Sequence, residues 1–328
     1  MGLLDVKPVR TYKPFNYPWA YEFFKLQEKM RWLPEEVPLG NDVKDYNTVL
    51  SAAEVNLITQ IFRFFTQQDT EINGVYGTHY LKVFQPTEVQ MMLCCFMSVE
   101  LIHMDAYSIL LDTVGMPEVE YQTFLQYKEM KDKYDYLHTF SVHNKHEIAR
   151  SMAAFSAFTE GLQLYASFAI LMSFPRRNLM KGMGQIITWS IRDEAIHVAG
   201  VLKLFQTFVE ENPEVWTQRL IDDIYEIGKT MVDHEDRFID LAFEMGDLPN
   251  LSAAELKQYI RYIADRRFLQ LGMSPHFKVK ENPLPWMDEV TDSVEFVNFF
   301  EEKSTSYARA ASEGIWEDAW NATSEMDD

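Results

Sequence analysis

Residues 97–107, which read MSVELIHMDAY, decide the fold of this chain. On an α-helix, positions i, i+3 and i+7 share one face, so Glu100, His103 and Tyr107 lie on a single stripe. The other residues along that stripe are apolar: Phe96, Met97, Met104, Leu110 and Leu111. An ionisable group that faces a core is costly unless it is paired or bound to a metal. One Glu-x-x-His pair is weak evidence for a metal, because the spacing is common by chance.

The same spacing recurs on a second predicted helix. Residues 190–197 read SIRDEAIH and contain the pair Glu194 and His197. Two further helices each carry an acid among apolar residues, Asp69 and Glu160. These acids precede the Glu residues of the two pairs by similar distances, 31 and 34 residues. Antiparallel helices with short connections bring such positions to one level of a bundle.

Four carboxylates and two imidazoles suit two divalent ions of the iron or manganese kind. Histidine is not a usual ligand of Mg²⁺ or Ca²⁺, and the motifs contain no cysteine of the kind that structural zinc prefers. Glu71 lies two residues from Asp69, so only one of them can face the site, and spacing alone leaves that choice open. The pattern predicts an all-α fold, a ferritin-like helical bundle with additional helices around a dimetal-carboxylate core.

Composition is that of a soluble protein. The chain has 328 residues, of which 47% are hydrophobic, so it can form a sizeable core. A formal charge of −20 argues against nucleic acid and anionic membranes as partners. The only cysteines, Cys94 and Cys95, are neighbours on a helix and point in different directions, which fits a reducing compartment. With no leader and no run of about 18 apolar residues, we expect a cytoplasmic protein.

The chain divides into three parts. Residues 1–14 contain prolines and basic groups and are expected to form an extended N-terminal arm. Residues 15–307 are expected to form the helical dimetal domain. Residues 308–328 mix acids with two tryptophans, and this composition cannot bury enough apolar surface to fold alone. The aromatic residues favour a peptide that docks on a partner.

Turn and capping signals place the helices. Ser51 and Glu54 have the spacing of a capping box, and Gly115 follows the helix that carries Glu100. Two prolines interrupt residues 33–42, and residues 277–280 give only a weak strand signal. Helices are predicted over 18–31, 52–83, 88–114, 118–133, 145–172, 176–210, 213–245, 253–271 and 288–300.

Four motifs resemble those of a known family. They are Glu100-x-x-His103-x-x-x-Tyr107, Arg192-Asp193-Glu194-Ala195-x-His197, Trp32-x-Pro34-Glu35-Glu36-Val37 and Asn282-Pro283-x-Pro285-Trp286-Met287. Together they resemble the small, radical-generating subunit of class I ribonucleotide reductase, over residues 15–307. The resemblance implies a homodimer that works with a large catalytic subunit. It also implies two Fe ions, with two Mn or a mixed Mn/Fe pair as alternatives, that react with molecular oxygen or a related oxidant.

The resemblance also assigns the metal ligands, and it favours Asp69 over Glu71. The ligand positions that it implies are Asp69, Glu100, His103, Glu160, Glu194 and His197.

Further roles follow from the same resemblance. Tyr107 stands at the position of the tyrosine that is oxidised beside the metals. Trp32 and Asp193, with the metal-bound imidazole, match a relay that carries the radical out of the subunit. Tyr307 matches the tail tyrosine that passes it to the large subunit, and residues 308–328 would then dock on that subunit.

The surroundings of Tyr107 depart from the family pattern at one position. Leu164 and Phe168 fit the bulky apolar lining that is usual around this tyrosine. Ser190 is small and polar where an apolar residue is common. Two stores for the oxidising equivalent therefore stay open, Tyr107 and the oxidised metal pair.

Two other functions share the ligand pattern. One is a dimetal oxidase or oxygenase of a small apolar substrate, and the other is a ferritin-like metal-storage protein. Neither needs Trp32, Tyr307 or a docking tail. The chain contains no glycine-rich phosphate loop and no cysteine pair placed to reduce a ribose, so nucleotide reduction is expected on the large subunit.

Overall fold

The computed structural model describes residues 2–4, 12–117, 119 and 126–292. Within these ranges the chain is helical, and an isolated bridge between Leu248 and Leu251 is the only β-pairing. The all-α prediction is confirmed. The helices are α1 (Pro18–Lys29), α2 (Gly40–Thr48), α3 (Ala52–Val75), α4 (Thr87–Val114), α5 (Lys128–Leu137), α6 (Lys145–Met152), α7 (Tyr165–Met172), α8 (Lys181–Glu211), α9 (Gln218–Ala242), α10 (Ala253–Gln270) and α11 (Pro285–Asp292).

Local sequence explains where α3 begins and where α4 ends. The Ser51 hydroxyl accepts from the backbone N–H of Glu54, whose carboxylate accepts from the N–H of Ser51 at 2.7 Å. This capping box satisfies two N–H groups that the first turn of α3 leaves free. At the C-terminal end of α4, Gly115 adopts φ +83°. Glycine takes this left-handed conformation at little cost, and it ends the helix there.

Two predicted helices contain π-helical backbone. After α3, the chain widens into a π turn (Tyr76–Tyr80) before a last α-helical turn, Leu81–Val83. Between α6 and α7 lies a longer π segment (Ala153–Gln163), which is buried throughout. In this segment the Thr159 hydroxyl donates to Ala154 O at 3.1 Å. Such π insertions are often found at functional sites.

Some predicted boundaries were wrong. The helix expected from residue 176 begins at Lys181, because Asn178 and Met180 have positive φ. Its first turn is capped from a distance: the carboxylate of Asp42 accepts from the N–H groups of Gly182 at 3.0 Å and Met183 at 2.8 Å. Asp42 lies in α2. This helix was not predicted, because the two prolines within residues 33–42 indicated a break in helical structure.

Two further predictions lie partly outside the described residues. Where a helix was expected at 118–133, the described residues contain α5, Lys128–Leu137. Where a short helix was expected at 288–300, they contain α11, Pro285–Asp292. The strand signal at 277–280 was wrong, since the N–H groups of Phe277 and Val279 donate to the carboxylate of Asp265.

Four helical rods form the centre of the bundle. They are α3, α4, α8 and the rod that joins α6, the π segment and α7. α3 packs on α4, and the π segment packs on α8. Outside them, α1 lies across α4 and α8, while α9 and α10 cover the π segment. This is the predicted ferritin-like bundle with additional helices.

α4 is the most apolar of the long helices that carry site residues. By length and composition alone it is long and apolar enough to cross a membrane, although it contains no uninterrupted run of about 18 apolar residues. Half of the residues in its most apolar stretch are buried. Its buried residues include Glu100 and His103. A core helix of a soluble bundle has the same composition.

Candidate metal centre

The structure brings together all six residues that the resemblance implies as metal ligands. α3 supplies Asp69, α4 supplies Glu100 and His103, the π segment supplies Glu160, and α8 supplies the rest. None of the six is more than 2% exposed. Their ligand atoms form two groups, each within a span of 4.8 Å, and Glu100 belongs to both. The groups are Asp69, Glu100 and His103, and Glu100, Glu160, Glu194 and His197.

Both imidazoles turn the same ring nitrogen towards the carboxylates. His103 Nδ1 lies 3.6 Å from Glu100 Oε2 and 3.3 Å from Glu194 Oε1. His197 Nδ1 lies 2.8 Å from Glu100 Oε1 and 3.7 Å from Glu194 Oε2. Glu100 and Glu194 therefore stand between the two histidines. Carboxylates in that position can bridge a pair of cations.

Several of these buried atoms make no hydrogen bond of good geometry within the described part of the chain, although His197 Nδ1 and Glu100 Oε1 lie within ion-pair distance of each other. They are Asp69 Oδ2, Glu100 Oε1, Glu194 Oε2, His103 Nδ1 and both ring nitrogens of His197. Each such atom costs about 1–3 kcal/mol if nothing satisfies it. Two divalent ions would satisfy the set and offset its four negative charges, so the residues present fit a dimetal site.

Burial sets the electrostatics of the cluster. It raises the pKa of Asp69 and of Glu160, and nearby carboxylates raise both further. Burial also raises the pKa of Glu194, with Glu100 adding to the effect. Glu100 is different: burial raises its pKa, but the imidazoles of His103 and His197 outweigh this and lower it to about 2. For Asp69, Glu160 and Glu194, the raised pKa means that the ionised form is destabilised, and a bound cation would stabilise it.

Glu71 faces away from this cluster. Its carboxylate pairs with His138 at 3.2 Å and accepts from Gln67, and its side chain is 20% exposed. Asp69 is 2% exposed and faces the centre. Of the two acids between which spacing left the choice open, the structure thus places Asp69 in the cluster.

A hydrogen-bonded path leads from His103 to an indole. His103 Nε2 lies 3.3 Å from Asp193 Oδ2, which also accepts from Trp32 Nε1 at 2.7 Å. The other oxygen of Asp193 accepts from Gln27 at 3.0 Å. Burial raises the pKa of Asp193, but the hydrogen bond and charge of His103 outweigh it and hold the pKa below its usual value. Asp193 is thus a charged acceptor that orients both His103 and Trp32.

Tyr107 lies on the same face of α4, one turn beyond His103, with a ring-centroid distance of 6.3 Å between them. Its hydroxyl donates to Ser190 Oγ at 3.0 Å, and Ser190 Oγ donates in turn to Ile186 O at 3.1 Å. Phe65 packs on the phenol ring at a centroid distance of 5.2 Å. Burial raises the pKa of Tyr107 well above its ordinary value, so the phenol keeps its proton.

The two residues expected to line Tyr107 are both buried. Phe168 is 5.5 Å from Phe65 between ring centroids, so it lies behind that ring. Leu164 follows the π segment and is 3% exposed. Tyr307 and residues 308–328 lie outside the described residues, as does most of the predicted arm.

Three residues near the centre escaped the sequence analysis. Gln27 donates to Asp193, Trp189 packs on Trp32 at a centroid distance of 5.0 Å, and Tyr76 donates to Glu160 Oε1 at 2.6 Å. Only Tyr76 had a usable signal. It is seven residues after Asp69, so on a helix it shares the face of that residue.

Comparisons with known proteins agree with this geometry. The family model described as "Ribonucleotide reductase, small chain" matches residues 9–283. The chain is 42% identical to the probable ribonucleoside-diphosphate reductase small subunit 376L of Invertebrate iridescent virus 6, over 94% of this chain and 97% of that protein.

Solved structures share the fold. The ribonucleotide reductase R2 subunit from Clostridium botulinum aligns with a TM-score of 0.82 at 20% identity, covering 89% of this chain and 94% of that one. A dimanganese(II) NrdF from Streptococcus sanguinis aligns with a TM-score of 0.75 at 19% identity, covering 85% and 96%. The chain therefore belongs to the ribonucleotide reductase small-chain family, and it is the small subunit of a ribonucleoside-diphosphate reductase, the enzyme that reduces ribonucleotides to deoxyribonucleotides.

Proposed function

We propose that the six clustered carboxylates and imidazoles hold two divalent ions, and that Tyr107 stores the oxidising equivalent that this subunit supplies. The observation that carries the proposal is the set of buried ligand atoms without partners, one turn from a buried phenol. The small-chain match over residues 9–283 favours this role over a small-molecule oxidase or a metal-storage protein.

The ions are proposed to be two Fe, with two Mn or a mixed Mn/Fe pair as alternatives, because a nitrogen and carboxylate set accepts both metals. When bound, they supply a one-electron oxidant after reaction with molecular oxygen or a related oxidant. The protein positions and protects what this oxidant acts on. Tyr107 gives up one electron and its phenolic proton to that oxidant, and the aromatic rings around it exclude water and external reductants.

The radical then leaves through residues that already touch. Trp32 gives an electron inward along the path through Asp193 and His103, which leaves the oxidising equivalent on the indole. Asp193 Oδ2 already accepts the indole N–H, so it can hold the proton of Trp32. Tyr307 is proposed as the next station towards the large subunit, with residues 308–328 as the docking peptide.

A second copy of this chain is proposed as a partner. Along α4, Cys94 and Leu101 are exposed, and Met97, Met104 and Ile109 are only partly buried. We call this mainly apolar strip, in which Asp105 is also exposed, the outer face of α4. It fits the homodimer that the family resemblance implies. A cytoplasmic location completes the proposal, since both cysteines are free thiols.

Loading the protein with Fe(II) in air, and separately with Mn(II), tests the storage site. We expect an electron paramagnetic resonance signal with a tyrosyl component, and we expect the Tyr107→Phe variant to lose that component while it binds the same amount of metal. Tyr80→Phe serves as the control, because it removes a buried phenol that contacts Ser151 instead. A signal that is unchanged in Tyr107→Phe would place the oxidising equivalent on the metals.

A further inference from the structure

We propose that Tyr76 is a positioning residue of the metal centre: its hydroxyl orients the carboxylate of Glu160 and determines which oxygen that carboxylate offers to an ion. Tyr76 is outside the six-residue ligand pattern. The inference rests on the proposed ligand role of Glu160.

The hydrogen bond between Tyr76 and Glu160 is short and buried from solvent. The hydroxyl of Tyr76 donates to Glu160 Oε1 at 2.6 Å, and each residue is 2% exposed. A hydrogen bond from a neutral hydroxyl to a carboxylate is stronger and more directional than one between neutral groups. Water cannot easily replace it, because both partners are enclosed.

The backbone explains how Tyr76 reaches the centre. Seven residues separate it from Asp69, so both side chains project from one face of the rod that α3 begins. At Tyr76 itself the α-helix gives way to the π turn, and Glu160 lies in the π segment. Both partners therefore sit on widened backbone.

Aromatic neighbours hold the phenol ring in place. The centroid of Tyr76 lies 6.3 Å from Phe96, whose own ring is 4.4 Å from that of His197. The ring centroid of Tyr80 is 6.0 Å from that of Tyr76. A buried ring that packs against two other aromatic rings has few alternative rotamers, so its hydroxyl stays aimed at Glu160.

The hydrogen bond restricts what Glu160 can do. An ionised carboxylate has two oxygens and about four acceptor positions. The Tyr76 hydroxyl occupies one acceptor position on Oε1, the oxygen that lies 4.0 Å from His197 Nδ1. Oε2 receives no hydrogen bond from Tyr76. Glu100 and Glu194, by contrast, lie close to both imidazoles. Tyr76 thus holds Glu160 as a ligand of the ion in the group that contains His197.

The test compares four proteins for anaerobic Mn(II) binding: wild type, Tyr76→Phe, Tyr80→Phe and Glu160→Ala. Free Mn(II) is followed by its resonance signal, which separates the two binding steps. Tyr76→Phe removes one hydroxyl, and we expect it to weaken one of the two sites by about 10–100-fold, the usual effect of losing a hydrogen bond to a ligand. Tyr80→Phe alters the same π turn without touching a ligand, and it should leave both sites within about threefold of wild type.

Thermal unfolding of the metal-free proteins separates positioning from folding. A merely structural Tyr76 would lower the midpoint of the metal-free variant and leave both Mn(II) affinities unchanged, which would overturn the inference. Equal losses in Tyr76→Phe and Tyr80→Phe would overturn it as well. Glu160→Ala should lose one site. If it does while Tyr76→Phe binds normally, only the role of Tyr76 fails; if both sites survive in Glu160→Ala, the ligand role of Glu160 fails.

Discussion

One imidazole, His103, connects the metal centre to the rest of the subunit. Its Nδ1 faces Glu100 and Glu194, while its Nε2 faces Asp193. The two nitrogens belong to one conjugated ring, so a change in what one nitrogen binds alters the protonation and hydrogen bonding of the other. Because Asp193 also holds Trp32, a change in the charge of the centre reaches the indole through two hydrogen-bonded contacts.

Ser190 gives Tyr107 a polar neighbour, and this has a measurable consequence. When Tyr107 loses its phenolic proton, its oxygen becomes a pure acceptor, and the Ser190 hydroxyl can turn from Ile186 O to donate to it. After exchange into D₂O, we expect a deuteron coupling on the tyrosyl signal of the wild type that Ser190→Ala lacks. Pulsed electron-nuclear double resonance measures it.

Ser190→Thr is the matched control, since it keeps a hydroxyl at the same position. It should retain the coupling. A coupling that persists in Ser190→Ala would show that another donor, and not Ser190, reaches the Tyr107 oxygen.

At the scale of helices, the π segment gives the site a shape that an α-helix would not. Arg267 of α10 donates from Nε to Gly161 O at 2.7 Å, next to Glu160. A Cβ at Gly161 would come within 2.7 Å of that same Nε, so glycine is what lets Arg267 approach. The widened backbone that carries Glu160 is thus held from outside by a helix more than 90 residues later in the chain.

The outer face of α4 leads to a prediction about assembly. Leu101 is 55% exposed in the single chain, and a homodimer across this face would bury it. Leu101→Asp should raise the dimer dissociation constant by about 100-fold or more, because an unpaired buried charge costs several kcal/mol. Analytical ultracentrifugation measures the constant.

Leu269→Asp is the control, because Leu269 is 57% exposed but lies on α10. It should leave the dimer intact. A Leu101→Asp protein that dimerises as tightly as the wild type would show that the second copy binds elsewhere.

The helix scale also shows what sequence could and could not foresee. The clustering of these carboxylates and imidazoles was predictable because Glu-x-x-His, repeated with an acid about 30 residues ahead, is a spacing that few other functions require. The family resemblance was needed to choose Asp69 over Glu71 and to single out Trp32, Asp193 and Tyr107. The π segment was not foreseen, because its support comes from Arg267, which is close in space and distant in sequence. The start of α8 was misplaced for a similar reason, since its cap is Asp42.

For the whole molecule, the subunit must deliver its oxidising equivalent to another chain. Removing residues 308–328 should abolish binding to the large subunit, because the tryptophans and acids of that peptide are its proposed contacts. We expect a loss of at least about 100-fold in affinity by surface plasmon resonance, as is usual when the few anchors that carry most of an interface are removed. The radical signal of the isolated subunit should be unaffected.

Tyr307→Phe separates docking from transfer. It keeps the peptide, so the large subunit should bind normally, but turnover should fall to background because one station of the relay is missing. Undiminished binding after the deletion would contradict the docking role of 308–328, and retained turnover in Tyr307→Phe would remove that residue from the relay.

The two sides of α4 carry a further consequence. Glu100 and Leu101 are consecutive, yet the first is 1% exposed and the second 55%. One side of the helix carries proposed metal ligands, and the other is the proposed contact with a second copy. If these two binding equilibria are coupled through α4, thermodynamic linkage makes the coupling reciprocal: the free energy that metal loading adds to subunit association is the same free energy that association adds to metal loading. The metal content of the protein would then depend on its concentration, because dilution shifts the dimer towards single subunits.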